Sequence, residues 1–125
     1  MMRSAMNKEQ IVEFILTLPE AELDYPFGVG VMVFKVLGKM FALIIVNDGV
    51  VEINLKGTPA DNEALASMFA AIRPGYHMNK KHWITVSVTE EIEGGMLRGL
   101  IDRSYELVVG KLKKADRERL AIQRE

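Results

Sequence analysis

Apolar residues recur along this chain with two periods, and the changes of period divide it into elements. Ile11, Phe14, Ile15 and Leu18 fall at i, i+3, i+4 and i+7, one face of a helix. Ahead of them, Asn7-Lys8-Glu9-Gln10 has the spacing of a capping box, with Asn7 as cap and Gln10 reaching back. Pro19 closes the helix, because proline disfavours helical backbone at the residue before it. The segment 19–30, PEAELDYPFGVG, reads as a loop, with Tyr25-Pro26-Phe27-Gly28 plugging one end of the core. The period then becomes two. In 31–37, Met32, Phe34 and Val36 share a face and Lys35 lies on the other. Gly38-Lys39 reads as a hairpin turn. The run 40–46 is apolar on both faces and is placed centrally. Asn47-Asp48-Gly49 holds the Asp-Gly pair that a type I′ turn favours. In 50–56, Val51, Ile53 and Leu55 point inward and Glu52, Asn54 and Lys56 outward.

Thr58 caps a second helix, with Pro59 in its first position. Leu65, Met68, Phe69 and Ile72 form its predicted buried stripe, and Pro74-Gly75 stops it. A short extended piece at 76–78, a turn at Asn79-Lys80 and a strand over 82–88 follow. The last helix begins near Glu93 and carries Leu97, Leu100, Ile101, Tyr105, Val108 and Leu112 to about Lys114. Lys111, Lys113 and Lys114 suit the negative end of its dipole. The order α-β(3)-α-β(2)-α groups strands beside one another. It predicts a two-layer α+β fold with one antiparallel five-stranded sheet and the helices packed on one face. The other face is then partly open to solvent or to a partner. Phe14, Phe34, Leu43, Ile53, Phe69, Trp83, Leu100 and Tyr105 are the expected core.

With 125 residues, this reads as one domain over 7–114, after a lead-in or vector remnant at 1–6 and before a charged C-terminal tail at 115–125. The chain has no Cys, which excludes disulfides, zinc ribbons and thiol catalysis and fits a reducing cytoplasm. No apolar run approaches the roughly 18 residues of a membrane span, so no membrane partner is expected. The net charge of −1 gives no global reason to bind nucleic acid, so any such claim rests on local patches.

One patch stands out. The stretch RPGYHMNKKHW, 73–83, holds Arg73, Lys80, Lys81, His77, His82, Tyr76 and the only Trp, with no acid. Arg73, Lys80 and Lys81 suit phosphates, His77 and His82 can donate hydrogen bonds, and Tyr76 or Trp83 can stack on a base. The same residues also make a tight turn feeding a buried strand: Asn79 suits positive φ, and Trp83 can point inward. Lys35, Lys39 and Lys56 extend the patch if the meander tips lie beside the 79–81 turn; alternatively they are solubilising lysines at sheet edges and turns. Two His without Cys leave a metal site short of ligands. There is no Gly-rich phosphate loop after a strand and no nucleophile-base spacing, and Glu52 and Asp48 read as solvated groups. No catalytic residue, metal or cofactor is therefore expected, and no enzyme.

Several segments together carry a resemblance: YPFG at 25–28, VFKVLGKMFAL at 33–43, INLKG at 53–57, PGYHMNKKHWITV at 74–86 and SYELV at 104–108. In order and spacing they resemble the MmcQ/YjbR family. That resemblance implies an α-β(3)-α-β(2)-α fold, CyaY-like and related to type III secretion chaperones. It also implies DNA binding through a double-wing shape, and it brings no catalytic residues. Gly94-Gly95 departs from the helix-forming residues usual in relatives. The expectation is a cytoplasmic DNA-binding protein with weak, largely sequence-tolerant binding through Arg73, Tyr76, His77, Lys80, Lys81, His82, Lys35, Lys39 and Lys56. The alternative is a non-enzymatic protein-interaction module resembling secretion chaperones. It would recruit a protein partner or a second copy, as a homodimer, on the open sheet face through an exposed apolar patch such as Val31, Val33 and Ile44.

Overall fold

The computed structural model describes residues 5–75 and 79–124. Along the chain run α1 (Lys8–Leu16), β1 (Ala21–Asp24), β2 (Met32–Val36), β3 (Lys39–Asn47) and β4 (Val50–Lys56). They are followed by α2 (Pro59–Met68), β5 (Ile72–Pro74), β6 (Trp83–Ser87), α3 (Gly94–Val109) and α4 (Lys114–Arg124). The strands form one open sheet in the order β1-β2-β3-β4-β6-β5, and every neighbouring pair is antiparallel. The protein is α+β, but the sheet has six strands where the hydrophobic pattern predicted five.

The additional strand, β1, lies in the segment read as a loop. Ala21 and Leu23 are half-buried while Glu22 and Asp24 are exposed, so the alternation of a strand is present over four residues. As an edge strand between Pro19 and Pro26 it is short, and its outward acids discourage further pairing. A second difference concerns Ile72, expected on the buried stripe of α2. The helix ends at Met68, and Phe69 is already extended, with φ −127° and ψ 120°. Ile72 is buried in β5 opposite Val86, and Met68 is 69% exposed. Pro74 at the end of β5 disfavours helical backbone before it, and the edge of β6 supplies a pairing partner instead. The extended piece expected at 76–78 lies outside the described residues. The third difference is α4, which occupies the stretch expected as a charged tail and buries Leu120 in the core.

Local signals were met where the interaction is local. Asn7 Oδ1 accepts from the Gln10 N–H at 2.8 Å and Gln10 Oε1 from the Asn7 N–H at 2.9 Å, the expected capping box. Thr58 caps α2 through Asp61 N–H. Asp48-Gly49 forms the β3–β4 turn with both φ positive. The β2–β3 turn is one residue earlier than expected: Leu37 and Gly38 take the positive φ values, 48° and 83°, and Lys39 already pairs with Val36.

The core gathers on one face of the sheet. Phe34, Val36, Ala42, Ile44, Ile53, Leu55, Ile72, Ile84 and Val86 meet Ile11 and Ile15 of α1, Leu97, Ile101 and Tyr105 of α3 and Leu120 of α4. Phe14 and Phe69 of the expected core are only partly buried against it; the other six are buried. Across the opposite face runs a lateral row, Asp24–Val33–Leu43–Asn54–Thr85–Arg73. Val33 is fully buried within it, and Ile44 belongs to the core face. The exposed patch expected from Val31, Val33 and Ile44 therefore does not form.

At one end of the sheet the β3–β4 ladder opens. Phe34 pairs with Ala42 but Lys35 with Met40, so Phe41 is an extra residue, a bulge, and its ring enters the core. Ser104 of α3 fills the gap: its hydroxyl donates to the Phe41 carbonyl at 2.6 Å and accepts the Lys56 N–H at 2.8 Å. The end of β4 is thus fixed to the middle of α3.

Candidate nucleic-acid interface

The turn after residue 78 is built by Asn79. Its carbonyl accepts from the N–H groups of His82 (3.2 Å) and Trp83 (3.0 Å), and its Oδ1 accepts from the Lys81 N–H at 3.0 Å. Asn79 organises the turn as a hydrogen-bond acceptor. Lys80, Lys81 and His82 are left exposed. The turn is braced from behind by the β4–α2 junction. Gly57 N–H donates to the His82 carbonyl at 2.9 Å. The buried Asn62 donates to the carbonyls of Lys81 (3.0 Å) and Gly57 (3.2 Å). A Cβ on Gly57 would stand 2.1 Å from Asn62 Oδ1 and 2.4 Å from Arg103 Nη2, so a side chain there would displace the Asn62 amide that braces the turn.

The antiparallel order brings the start of β3, the end of β4 and the start of β6 to the same end of the sheet. Lys56 is opposite Trp83 in register, which places it beside the 79–82 turn. Lys39, Lys56 and Lys111 line one shallow pocket of about 270 Å³ with Met40, Val108 and Leu112. Burial, and then the neighbouring Lys111 charge, hold the Lys56 ammonium below its ordinary pKa. Among the described residues, none of Lys39, Lys56, Lys80, Lys81 and Lys111 has a carboxylate within 4.0 Å. The sequence reading assigned Lys111 only to the helix dipole. Its place here follows from α3 ending over this corner of the sheet, which no local pattern reports.

Two of the expected phosphate ligands are engaged elsewhere. Arg73 donates to Glu52 Oε2 at 2.6 Å and to Ser87 Oγ at 2.9 Å, on the face of the sheet away from the core. Glu52 is buried, not the solvated turn residue expected, and the guanidinium neutralises it. Lys35 lies 3.2 Å from Asp24 Oδ2. The Tyr25 N–H and then Lys35 hold that carboxyl below the usual range. Trp83 is 9% exposed, so its ring does not offer a stacking face. Tyr76 and His77 lie outside the described residues. Among the described residues, no group of three or more His, Asp or Glu could hold a metal ion, and no helix is long and apolar enough to cross a membrane.

Among the described residues, an open six-stranded antiparallel sheet with four helices makes this a small α+β domain. The chain belongs to the YjbR family: the model of that family matches residues 16–107. It is 44% identical over 119 residues to the uncharacterized protein YbdF of Escherichia coli O157:H7, covering 92% of this chain and 98% of that one. It is 26% identical over 115 residues to the uncharacterized protein YjbR of Escherichia coli K12, with the same coverage of each. Among solved structures it is similar to Deinococcus radiodurans protein DR2400, described by the family domain DUF419. The TM-score there is 0.83 at 35% identity, covering 96% of this chain and 89% of that one. A Pseudomonas syringae protein follows with TM-score 0.72 at 28% identity, covering 82% and 98%.

Proposed function

We propose that this protein is a non-enzymatic nucleic-acid-binding protein that takes DNA weakly and with little sequence preference. The binding surface is the sheet end formed by the Lys80-Lys81-His82 turn with Lys56 and Lys39. The observation that carries the reading is that, among the described residues, Lys80 and Lys81 on a turn braced by Asn62 and Gly57, with Lys56 and Lys39 at the same sheet end, have no carboxylate within 4.0 Å. Cations already neutralised within the fold have little left for phosphate, and these are not. Arg73 and Lys35, matched by Glu52 and Asp24, contribute less than their sequence positions suggested. No metal or organic cofactor is assigned.

The test is fluorescence anisotropy with a labelled duplex and a labelled single strand across a salt series. With about three to four phosphate contacts, log affinity should fall against log salt with a slope near −3. Lys80→Glu/Lys81→Glu should abolish binding with the thermal midpoint nearly unchanged, because exposed lysines contribute little to stability. Arg73→Ala should lower the midpoint, since it leaves Glu52 buried without its partner. No binding at low salt, or binding that the double reversal leaves intact, refutes the reading and turns attention to a protein partner.

A further inference from the structure

Three lysines facing one concavity with no carboxylate among them repel one another unless an anion enters. Burial, and then the Lys111 charge, hold the Lys56 ammonium below its ordinary pKa. Backbone contacts fix the roots of these side chains at the rim of the pocket. Lys56 is fixed through its own N–H on Ser104, and the Ser104 hydroxyl ties α3 to the β3 bulge. Lys111 follows α3 directly, in a turn closed by its N–H to the Val108 carbonyl at 3.1 Å. Lys39 opens β3 opposite Val36. Met40, Val108 and Leu112 form the apolar remainder of the wall. An internal phosphodiester can meet this shallow pocket only through its two non-bridging oxygens, whereas a terminal phosphate presents three. A phosphomonoester carries about −1.5 to −2 charge near neutrality, against −1 for a backbone phosphodiester, so it answers three cations better.

We propose that the Lys39–Lys56–Lys111 pocket is a phosphomonoester site that receives the phosphorylated end of a nucleic-acid strand. This rests on the nucleic-acid reading and adds to it a preference for strand ends. Apolar contact with the terminal sugar and base falls to Met40, Val108 and Leu112.

The experiment compares one mixed-sequence oligonucleotide bearing a 5′-phosphate, a 3′-phosphate or only hydroxyl ends, with a nucleoside 5′-monophosphate and inorganic phosphate as separate arms. A phosphorylated end should bind about tenfold more tightly than hydroxyl ends, which corresponds to about 1.4 kcal/mol. The readout is this ratio, because loss of any cation lowers both affinities. Lys111→Ala should bring the ratio close to one, and Lys111→Arg should restore most of it. Equal affinity for both kinds of end, or a ratio that survives Lys111→Ala, overturns the proposal. If no oligonucleotide binds, the nucleic-acid reading fails and the small-molecule arms decide the pocket. A thermal midpoint raised by the monophosphate or by phosphate in a Lys111-dependent way supports a phosphate site, and no rise overturns it.

Discussion

Ser104 does more than its size suggests. It is fully buried and stands where a backbone hydrogen bond of the β3–β4 ladder is missing, bonded to the Phe41 carbonyl and the Lys56 N–H. Removing the hydroxyl strands both groups. Ser104→Ala should therefore cost about 1–3 kcal/mol in chemical denaturation, at the desolvation cost of an unsatisfied buried group. Tyr105, one residue on, makes an edge-to-face contact with Phe41 at 5.3 Å and donates its hydroxyl to the Pro19 carbonyl at 2.7 Å. Burial pushes that hydroxyl up to about 12. The folded protein thus keeps a proton that the unfolded chain releases near its ordinary value of 10.0. The stabilisation is complete below pH 10 and is lost as pH rises through about 12. Between about pH 9 and pH 11 the urea midpoint of the wild type should fall further than that of Tyr105→Phe. Equal falls would show that the tyrosine does not carry this dependence. Neither role was legible in the sequence, since Ser104 and Phe41 lie 63 positions apart and Tyr105 and Pro19 lie 86 apart. The Asn7 box, the Thr58 cap and the Asp48-Gly49 turn were legible because their partners lie within a few residues.

At the scale of elements, periodicity identified what carries a strong apolar stripe and missed what does not. α1, β2, β3, β4 and β6 follow their patterns closely, while α3 ends at Val109, short of the expected Lys114. β1 and α4 have few apolar residues to show. In α4 Leu120 alone is buried, and the rest of its attachment is polar. Arg119 and Gln123 bond Glu20, and Arg124 bonds Asp102 and Glu106 while lying 5.2 Å from the Tyr105 ring centre. Exposed ion pairs contribute about 0–1 kcal/mol each, whereas truncating a buried leucine costs about 2–5 kcal/mol. Leu120→Ala should therefore release α4 where Arg119→Ala hardly disturbs it, with amide exchange across 114–124 as the readout. If the arginine variant exposes those amides as much as the leucine variant does, charge and not burial holds the helix.

At the scale of the whole molecule, the structure divides the expected patch. Its turn, with Lys80, Lys81 and His82, is exposed and joined at the sheet end by Lys56, Lys39 and Lys111, while Arg73, Lys35 and Trp83 are committed to the fold. The sequence located the basic turn because its residues are contiguous. It did not show which cations already had partners, because Glu52 lies 21 positions from Arg73 and Asp24 lies 11 from Lys35. The division bears on how DNA would be held under the proposed function. Trp83 is the only tryptophan and is buried beside the turn, with its backbone N–H on Asn79. Without its ring as a platform, the proposed affinity for DNA would come from phosphates, which look alike in every sequence. Titration with DNA should raise the anisotropy of the labelled strand while leaving Trp83 emission nearly constant, and duplexes of different sequence should agree within about threefold. A stacked base would quench the indole and add about 1–3 kcal/mol. Strong quenching that follows the binding curve, with tighter binding to single strands than to duplex, would mean that Trp83 swings out to the ligand and that the interface reads bases as well as charge.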